Sequence, residues 1–297
     1  AMNGSEPVGG ILGEAKGQVS IRGCVNEGDL GPSSQTGSTT GSSGYGGIVG
    51  RIAAADCLIE DCENSGNTLT VSIGTGIANA GGLVGYASSS TNCTVKNCFN
   101  PGTISSNAPM GGIVGKAGTG MTIESCYNTG KIDCRYVSSY SNGAGGILGD
   151  TDYNKGVVVK NVYNVGEIVG AGRCASGGLG GIVGLVRSTA TVENAYNAGT
   201  VTVAGSASHG SILGWTYDTT SKLVNCYCLT GTDSAMQSSA YASAAVSGGS
   251  EEAKSEADMS TEDFLAALGD GFKLDKGISD FPVLSWQKNN CEHTDVE

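Results

Sequence analysis

One group of oxygen-bearing side chains near the middle of the chain includes Asp150, Asp152 and Asn154. Their oxygens fall at alternate positions, which is the spacing of a calcium-binding loop. An EF-hand loop has glycine at its sixth position and glutamate at its twelfth, whereas here Gly156 is seventh and no glutamate follows at the twelfth. We therefore predict an Asp/Asn-rich turn between two strands, with a calcium site as the alternative and no other cofactor.

Carboxylates could also hydrolyse a glycan if two of them lie about 5–10 Å apart. The candidates are Asp150, Asp152 and Asp218, which would make the chain a carbohydrate-active β-helix enzyme. The two histidines, His209 and His293, have no matching nucleophile or metal-ligand spacing, and the sequence has no Gly-x-Ser-x-Gly elbow or phosphate loop. We predict no catalytic residue and keep the glycan-active enzyme as the alternative.

Aromatic and basic side chains are the stronger candidates, because Trp, Tyr and Arg dominate the binding energy of many interfaces. The predicted ligand contacts are Trp215, Tyr217, Tyr153, Tyr86, Arg135, Tyr136 and Tyr140. A further aromatic column is formed by Phe99, Tyr127, Tyr163, Tyr196 and Tyr227. We interpret this column as stacked packing, with a flat platform for sugar rings or for a protein partner as the alternative.

An internal repeat positions these residues. A Gly-Gly-(Ile/Leu)-(Val/Leu)-Gly pentamer begins at Gly9, Gly46, Gly81, Gly111, Gly145 and Gly180, with a degenerate copy at Gly210. Each pentamer is followed by a second block, such as Ile123-Glu-Ser-Cys-Tyr-Asn-Thr-Gly130, and then by a short segment such as Lys131-Ile132. Each repeat thus offers three short β-prone segments, which can bury their apolar faces only if successive copies stack.

Stacking of this kind predicts an all-β fold, a right-handed parallel β-helix-like solenoid of about seven coils with strands about 4.8 Å apart. Helical periodicity is absent from residues 1–230. One column of the second block alternates in charge: Arg22, Glu60, Lys96, Glu124, Lys160 and Glu193. If the coils stack in register, opposite charges face each other, and each such pair is worth about 0.2–1 kcal/mol.

Two asparagine columns also run through the second block. The first contains Asn97, Asn161, Asn194 and Asn225. The second contains Asn26, Asn64, Asn100, Asn128, Asn164 and Asn197. Asparagine tolerates left-handed backbone, and its side chain can satisfy turn amides. We therefore predict hydrogen-bonded asparagine ladders, with a ligand site as the rival explanation.

Eleven cysteines raise the question of disulfides or metal. One column contains Cys24, Cys62, Cys98, Cys126 and Cys226. Because Val162 and Ala195 take the same position in other repeats, we interpret it as a small apolar core position. A Cys57–Cys62 or Cys93–Cys98 disulfide is the alternative, and the absence of Cys-x-x-Cys spacing argues against zinc. The thiols expected to be reactive are Cys134, Cys174 and Cys291.

Composition limits the possible partners. Glycine makes up 50 of 297 residues, and the net charge is −12. A negative chain repels phosphate backbones and anionic lipid, so we expect no nucleic acid and no direct membrane insertion. No apolar run approaches the roughly 20 residues needed to span a bilayer. The Ala1-Met2 start leads us to expect an excised fragment of a larger protein. We also expect the protein to be a monomer.

The Gly-Gly-Ile-Val-Gly blocks resemble the GLUG motif, a short repeat of large bacterial surface proteins that also occurs in the non-catalytic part of IgA-protease-type zinc metallopeptidases. The resemblance covers about Gly9 to Gly231, and no His-Glu-x-x-His zinc motif is present. It implies an extracellular location on the bacterial cell surface, and a gut anaerobe in which free thiols persist. It also implies that an accessory domain of a larger surface protease is a second alternative function.

The tail from Met259 to Trp286 is similar to segments that close such arrays in gut Firmicutes. Its pattern predicts a short helix that Ser260 caps and Gly269 ends, within a cap over the last coil. We expect 1–231 to form the solenoid repeats, 232–255 a connector and 256–297 the C-terminal cap and tail. The predicted function is a non-catalytic adhesin-like or stalk module whose partner is a host glycan, mucin or immunoglobulin-type surface protein.

Overall fold

Strands dominate the protein, as a computed structural model shows. The structure describes residues 6–31, 43–53, 56–69, 78–88, 92–106, 109–134, 143–151, 153, 156–170, 177–204, 208–217, 220–232 and 251–288. None of the helices within these ranges is long and apolar enough to cross a membrane.

Seven successive coils supply the strands. The first coil has β1 (Val8–Gly9), β2 (Leu12–Ala15), β3 (Ser20–Arg22) and β4 (Val25–Asn26). The second has β5 (Ser43–Gly46), β6 (Val49–Ile52), β7 (Leu58–Glu60), β8 (Glu63–Asn64) and β9 (Thr68–Leu69). The third has β10 (Ala78–Gly81), β11 (Val84–Ala87), β12 (Thr94–Lys96), β13 (Phe99–Asn100) and β14 (Ile104–Ser106). The fourth has β15 (Met110–Gly111), β16 (Val114–Lys116), β17 (Thr122–Glu124), β18 (Tyr127–Asn128) and β19 (Ile132–Cys134).

The later coils have fewer and longer strands. The fifth has β20 (Ala144–Gly145), β21 (Leu148–Asp150), β22 (Val157–Asn164) and β23 (Ile168–Gly170). The sixth has β24 (Gly178–Gly180), β25 (Val183–Val186), β26 (Ala190–Asn197) and β27 (Val201–Val203). The seventh has β28 (Ser208–Gly210), β29 (Leu213–Thr216) and β30 (Lys222–Leu229). The C-terminal segment has β31 (Glu251–Lys254), α1 (Glu256–Met259), α2 (Glu262–Leu268), β32 (Phe272–Lys273) and β33 (Val283–Leu284).

Equivalent strands pair in parallel from coil to coil and form four sheets. Sheet A contains β1, β5, β10, β15, β20, β24 and β28, and sheet B contains β2, β6, β11, β16, β21, β25 and β29. Sheet C contains the strands of the second block, from β3 and β4 to β30, and sheet D contains β9, β14, β19, β23 and β27. The predicted parallel solenoid is confirmed, and five of the expected seven coils contribute to all four sheets.

The pentamer glycines mark the corner between sheets A and B. A Cβ atom on Gly81 would lie 2.0 Å from the carbonyl oxygen of Val84. A Cβ atom on Gly82 would lie 2.0 Å from the carbonyl oxygen of Gly112 and 2.5 Å from Asn100 Cγ. The repeated Gly-Gly pair is therefore required because backbone and side chain approach this corner too closely for any larger residue.

The charged column of sheet C has the register that the sequence predicts. Lys96 pairs with Glu60 on one side and with Glu124 on the other. The carboxylate of Glu124 also lies 3.3 Å from Lys160 Nζ, in the next coil. These pairs are partly exposed, so they favour one register more than they add to stability.

Both asparagine ladders are present. In the second column each Nδ2 donates to the Oδ1 of the next coil, as from Asn100 to Asn128 at 2.8 Å and from Asn128 to Asn164 at 2.8 Å. The same Asn128 Nδ2 donates to the carbonyl oxygen of Gly130 at 2.7 Å. In the first column the backbone is left-handed, with φ of 51° at Asn97 and 52° at Asn161. Asparagine thus satisfies buried turns that other side chains would leave without hydrogen bonds.

Four apolar clusters fill the described structure, and the smallest joins Val8 to Tyr45. The main core lies between sheets B and C, and a second core lies between sheets A and D. The cysteine column belongs to the main core, and the nine described cysteines are all free, so neither alternative disulfide forms. Cys134, expected to be reactive, is only 1% exposed in the second core, while Cys174 and Cys291 lie outside the described residues.

The third cluster joins sheet C to the C-terminal segment. Strand β31 pairs with β30 and adds one more strand to the edge of the last coil. Helix α2 begins after Thr261, whose Oγ1 accepts from Phe264 N at 3.2 Å, and it ends at Gly269 as predicted. The prediction of Ser260 as the cap was wrong, because Ser260 ends α1 and its Oγ donates to the Glu256 carbonyl oxygen at 2.9 Å.

Candidate binding surfaces

An outer column of sheet B collects several of the predicted ligand contacts. The pairing of equivalent strands lines up Glu14, Arg51, Tyr86, Lys116, Asp150, Leu185 and Trp215. Residues directly after this column, such as Ile52 and Ala87, lie in the main core. The column itself is partly exposed except at Asp150 and Leu185, which are fully buried. The sequence repeat therefore brings Tyr86 and Trp215, which are far apart in the chain, onto one face of one sheet.

Tyr86 lies between two cations on this outer column. Arg51 Cζ is 5.8 Å from the ring centroid, and Lys116 Nζ is 5.6 Å from it on the other side. The Arg51 guanidinium group also lies 3.4 Å from Glu14. The cations pack against the ring in a cation–π arrangement, so this part of the column presents a basic and aromatic surface.

Trp215 and Tyr217 form a second aromatic group at the end of the column. Their ring centroids are 6.0 Å apart at an interplanar angle of 60°, which is an edge-to-face contact. Tyr217 is 52% exposed. This pair therefore offers an accessible aromatic surface beside the seventh coil.

Asp150 is used inside the structure. Its two carboxylate oxygens lie 3.1 and 3.0 Å from Arg187 Nε, and Arg187 Nη2 is 3.0 Å from Oδ2. Burial lowers the pKa of Arg187, but the hydrogen bond and the charge of Asp150 outweigh it and raise that pKa above its ordinary value. Arg187 Cζ also lies 5.4 Å from the ring centroid of Tyr153, which is 76% exposed. Asp150 itself has no exposed surface.

Several predicted site residues lie outside the described residues. These are Arg135, Tyr136, Tyr140, Asp152, Asn154 and Asp218. The calcium loop and the 133–144 contacts therefore stay predictions. Within the described ranges, no group of three or more His, Cys, Asp or Glu side chains could hold a metal ion.

The aromatic column of sheet C is a continuous stack. Ring centroids are 4.9 Å apart from Phe99 to Tyr127, 4.9 Å from Tyr127 to Tyr163, and 5.0 Å from Tyr163 to Tyr196. The interplanar angles are 5°, 8° and 1°. Tyr227 continues the column and meets Phe264 of α2 edge to face at 5.0 Å. The predicted stacking is present.

The C-terminal segment covers most of this stack. The Tyr196 hydroxyl donates to the carbonyl oxygen of Pro282 at 2.6 Å, and the Tyr163 hydroxyl donates to Gln287 Oε1 at 3.0 Å. Burial raises the pKa of Tyr127 to about 12 and raises that of Tyr163 further. The expected cap therefore packs along the side of the solenoid, in addition to covering its last edge through β31.

A groove lies beside Trp286, near the last described residues of the C-terminal segment. Trp286 donates from Nε1 to the carbonyl oxygen of Ser125 at 2.9 Å, and its ring is tilted against Phe99 and Tyr127. The groove has a cavity volume of about 670 Å³. Its lining is Asp61, Asn97, Phe99, Tyr127, Gly277, Ile278, Trp286, Gln287 and Lys288. We call this cavity the Trp286 groove.

Sequence reasoning missed the Trp286 groove, because it placed Phe99 and Tyr127 in the packing column and Trp286 in the cap. One signal was available. The aromatic column begins only in the third coil, and the equivalent residues of the first two coils are Val25 and Glu63. A stack of rings that stops partway along a solenoid must expose a terminal ring unless another element covers it.

Comparison with known proteins gives one structural likeness. No family model matches the chain, and no curated protein matches it. The chain is similar to a solved structure described as a candidate immunoglobulin A1 protease from Bacteroides ovatus, with 17% sequence identity and a TM-score of 0.47. The match covers 96% of this chain and 88% of the other. This likeness is too low to transfer a function.

Proposed function

We propose that the chain is a non-catalytic, extracellular module of a bacterial cell-surface protein, an adhesin-like binder that recognises a host glycan, mucin or immunoglobulin-type protein. The outer column of sheet B carries this proposal, because it presents Tyr86 between Arg51 and Lys116 and ends in the Trp215–Tyr217 pair. Tyr, Trp and Arg are the residue types that contribute most binding energy at interfaces.

The scaffold supports a display role. The asparagine ladders and the charged column connect each coil to the next, so the outer column lies on a rigid sheet. Sites built on rigid elements hold their side chains in place more precisely than sites built on loops. The predicted contacts Arg135, Tyr136 and Tyr140 belong to the same proposal.

Binding is favoured over glycan hydrolysis by the position of Asp150. A glycosidase needs two carboxylates that reach the scissile bond from either side. Asp150 has no exposed surface, and its carboxylate is held by Arg187. Hydrolysis of a glycan panel that is lost in Asp152→Asn or Asp218→Asn would favour the enzyme instead.

The test is binding of the purified chain to a glycan array that includes mucin and immunoglobulin spots. We expect Tyr217→Ala and Trp215→Ala to weaken a specific signal by about tenfold or more. Val25→Ala, a comparably exposed side chain on sheet C, is the matched control and should change nothing. An EDTA arm tests the calcium loop. If no spot gives a signal, the proposed ligand recognition is contradicted. The remaining functions are then a stalk that spaces other domains, or an accessory domain of a larger surface protease.

A further inference from the structure

We infer that the Trp286 groove is a binding site for a neutral saccharide, a hexose or N-acetylhexosamine unit, separate from the outer column of sheet B. The groove is concave and combines three aromatic rings with a few polar groups. Small-ligand sites have this composition, with apolar walls that supply contact area and a few polar groups that fix orientation.

The aromatic floor is the first argument. Tyr127 stacks on one face of Phe99, and the second coil has Glu63 at the next position of the column. The stack of rings therefore ends at Phe99. Trp286 stands beside it, with ring centroids 6.3 Å apart and an interplanar angle of 43°. A flat ring with an inclined ring beside it can contact a pyranose on two sides.

The polar groups are the second argument. Asn97 Nδ2 donates to Asp61 Oδ1 at 3.1 Å, which fixes both side chains at the edge of the groove. The second carboxylate oxygen of Asp61 and the carbonyl oxygen of the Asn97 side chain can accept hydrogen bonds, and the exposed Lys288 ammonium group can donate them. Sugar hydroxyl groups both donate and accept, so this mixed set suits them.

Charge decides between classes of sugar. Two carboxylates, Asp61 and Glu63, lie near the floor, whereas Lys288 is the only cation among the described residues of the lining. The whole chain has a net charge of −12. An acidic sugar would be repelled by both the local and the overall charge, so a neutral saccharide is the expected ligand.

The site exists only when the C-terminal segment is docked. Phe99 and Tyr127 come from the third and fourth coils, whereas Trp286 and Lys288 come from the C-terminal segment. The hydrogen bond from Trp286 to Ser125 holds the two parts together. The groove is therefore preformed by the folded chain, which reduces the cost of ordering on binding.

The test uses the full chain and tryptophan fluorescence. The sequence has two tryptophans, Trp215 and Trp286, so Trp215→Phe leaves Trp286 as the single reporter. This variant is titrated with chitotriose, N-acetyllactosamine and maltotriose, and with sialyllactose as the acidic comparison. We expect a saturable change in emission with at least one neutral probe, and weaker binding of sialyllactose.

Two substitutions locate the site without removing its rings. Asn97→Gly deletes the amide while allowing the left-handed backbone (φ 51°), and Lys288→Ala removes the rim charge. We expect each to weaken binding about tenfold, with Ile11→Ala, an exposed side chain outside both proposed sites, as a control that leaves it unchanged. The proposal is overturned if no neutral probe binds, if sialyllactose alone binds, or if Asn97→Gly and Lys288→Ala both bind normally. Because neither Asn97 nor Lys288 lies in the outer column, failure here leaves the array result there unaffected.

Discussion

Two positions of the column that becomes the aromatic stack differ in what covers them. In the first coil the position is Val25, which is 52% exposed, and in the sixth it is Tyr196, which has no exposed surface. Both positions have the same register and the same strand pairing. The repeat therefore fixes the position of a residue, whereas the C-terminal segment decides whether that position becomes core or surface.

The strands of the second block are longer in the coils that the C-terminal segment covers. In the second to fourth coils the second block forms two short strands, and in the fifth to seventh it forms the single eight-residue strands β22, β26 and β30. The covered coils add the third apolar cluster to the main core, which runs through all seven coils. We expect the stability of the solenoid to be uneven, with the most resistant region beneath the C-terminal segment.

The largest effect should come from removing a ring beneath the cover. Tyr196→Ala deletes a fully buried aromatic side chain and its hydrogen bond to Pro282, so it should lower the free energy of unfolding by about 3–5 kcal/mol. Phe99→Ala, at the open end of the stack, should cost clearly less. Urea denaturation followed by circular dichroism measures both, with Tyr217→Ala as the exposed control. Equal losses of unfolding free energy for Tyr196→Ala and Phe99→Ala would contradict the expected uneven stability along the solenoid.

An intermediate effect is expected in the asparagine ladder. Asn128→Ala removes hydrogen bonds to Gly130 and Asn164 and leaves Asn100 Nδ2 with one of its two acceptors, at a cost of about 2–3 kcal/mol. Asn26→Ala, at the end of the ladder, breaks one fewer contact between coils and should cost about 1 kcal/mol. The same denaturation experiment compares them. A larger loss at Asn26 would show that the first coil, rather than the covered region, limits stability.

The smallest effect at neutral pH should come from Tyr127→Phe. Its free energy of unfolding should lie within about 1 kcal/mol of that of the original chain. Alkaline pH should reveal the difference. Burial raises the pKa of Tyr127 to about 12, so its contribution is complete below the unfolded pKa of about 10 and is lost as the pH rises towards 12.

Denaturation at a series of pH values, with phenolate absorbance as a second signal, measures this loss. Tyr127→Phe should lose less stability than the original chain between about pH 10 and 12, because one buried hydroxyl group has been removed. Tyr217→Phe is the exposed control. Identical pH profiles for all three proteins would mean that the cover does not exclude water from the stack.

The repeat made much of the fold predictable. Residues that recur once per coil, such as Lys96 and Glu124, fix the register because one pairing satisfies them all. The asparagine ladders, the aromatic stack and the buried cysteine column follow from the same periodicity. The Ser260 cap was wrong by one residue because two short helices follow each other there, and Ser260 ends the first.

The site was less predictable because its parts do not repeat. Trp286 contacts Ser125, 161 residues earlier in the chain, and no pattern in the tail specifies that partner. Arg187 neutralises Asp150 from the next coil, at a position whose residue type differs between coils, from Lys16 in the first to Tyr217 in the seventh. Contacts between a repeated array and a non-repeated segment are decided by shape and burial, which one sequence does not reveal.

The path of the C-terminal segment also constrains the number of coils that lie beneath it. It starts at β31, beside the seventh coil, and runs back to Lys288 at the third. Strands about 4.8 Å apart make this a span of roughly 20–25 Å. Deleting a whole coil beneath the segment would keep the second asparagine ladder, but it would bring like charges together in the charged column and shift Ser125 relative to Trp286. Deleting the first coil would do neither, so the number of coils can change at that end without disturbing the docked segment.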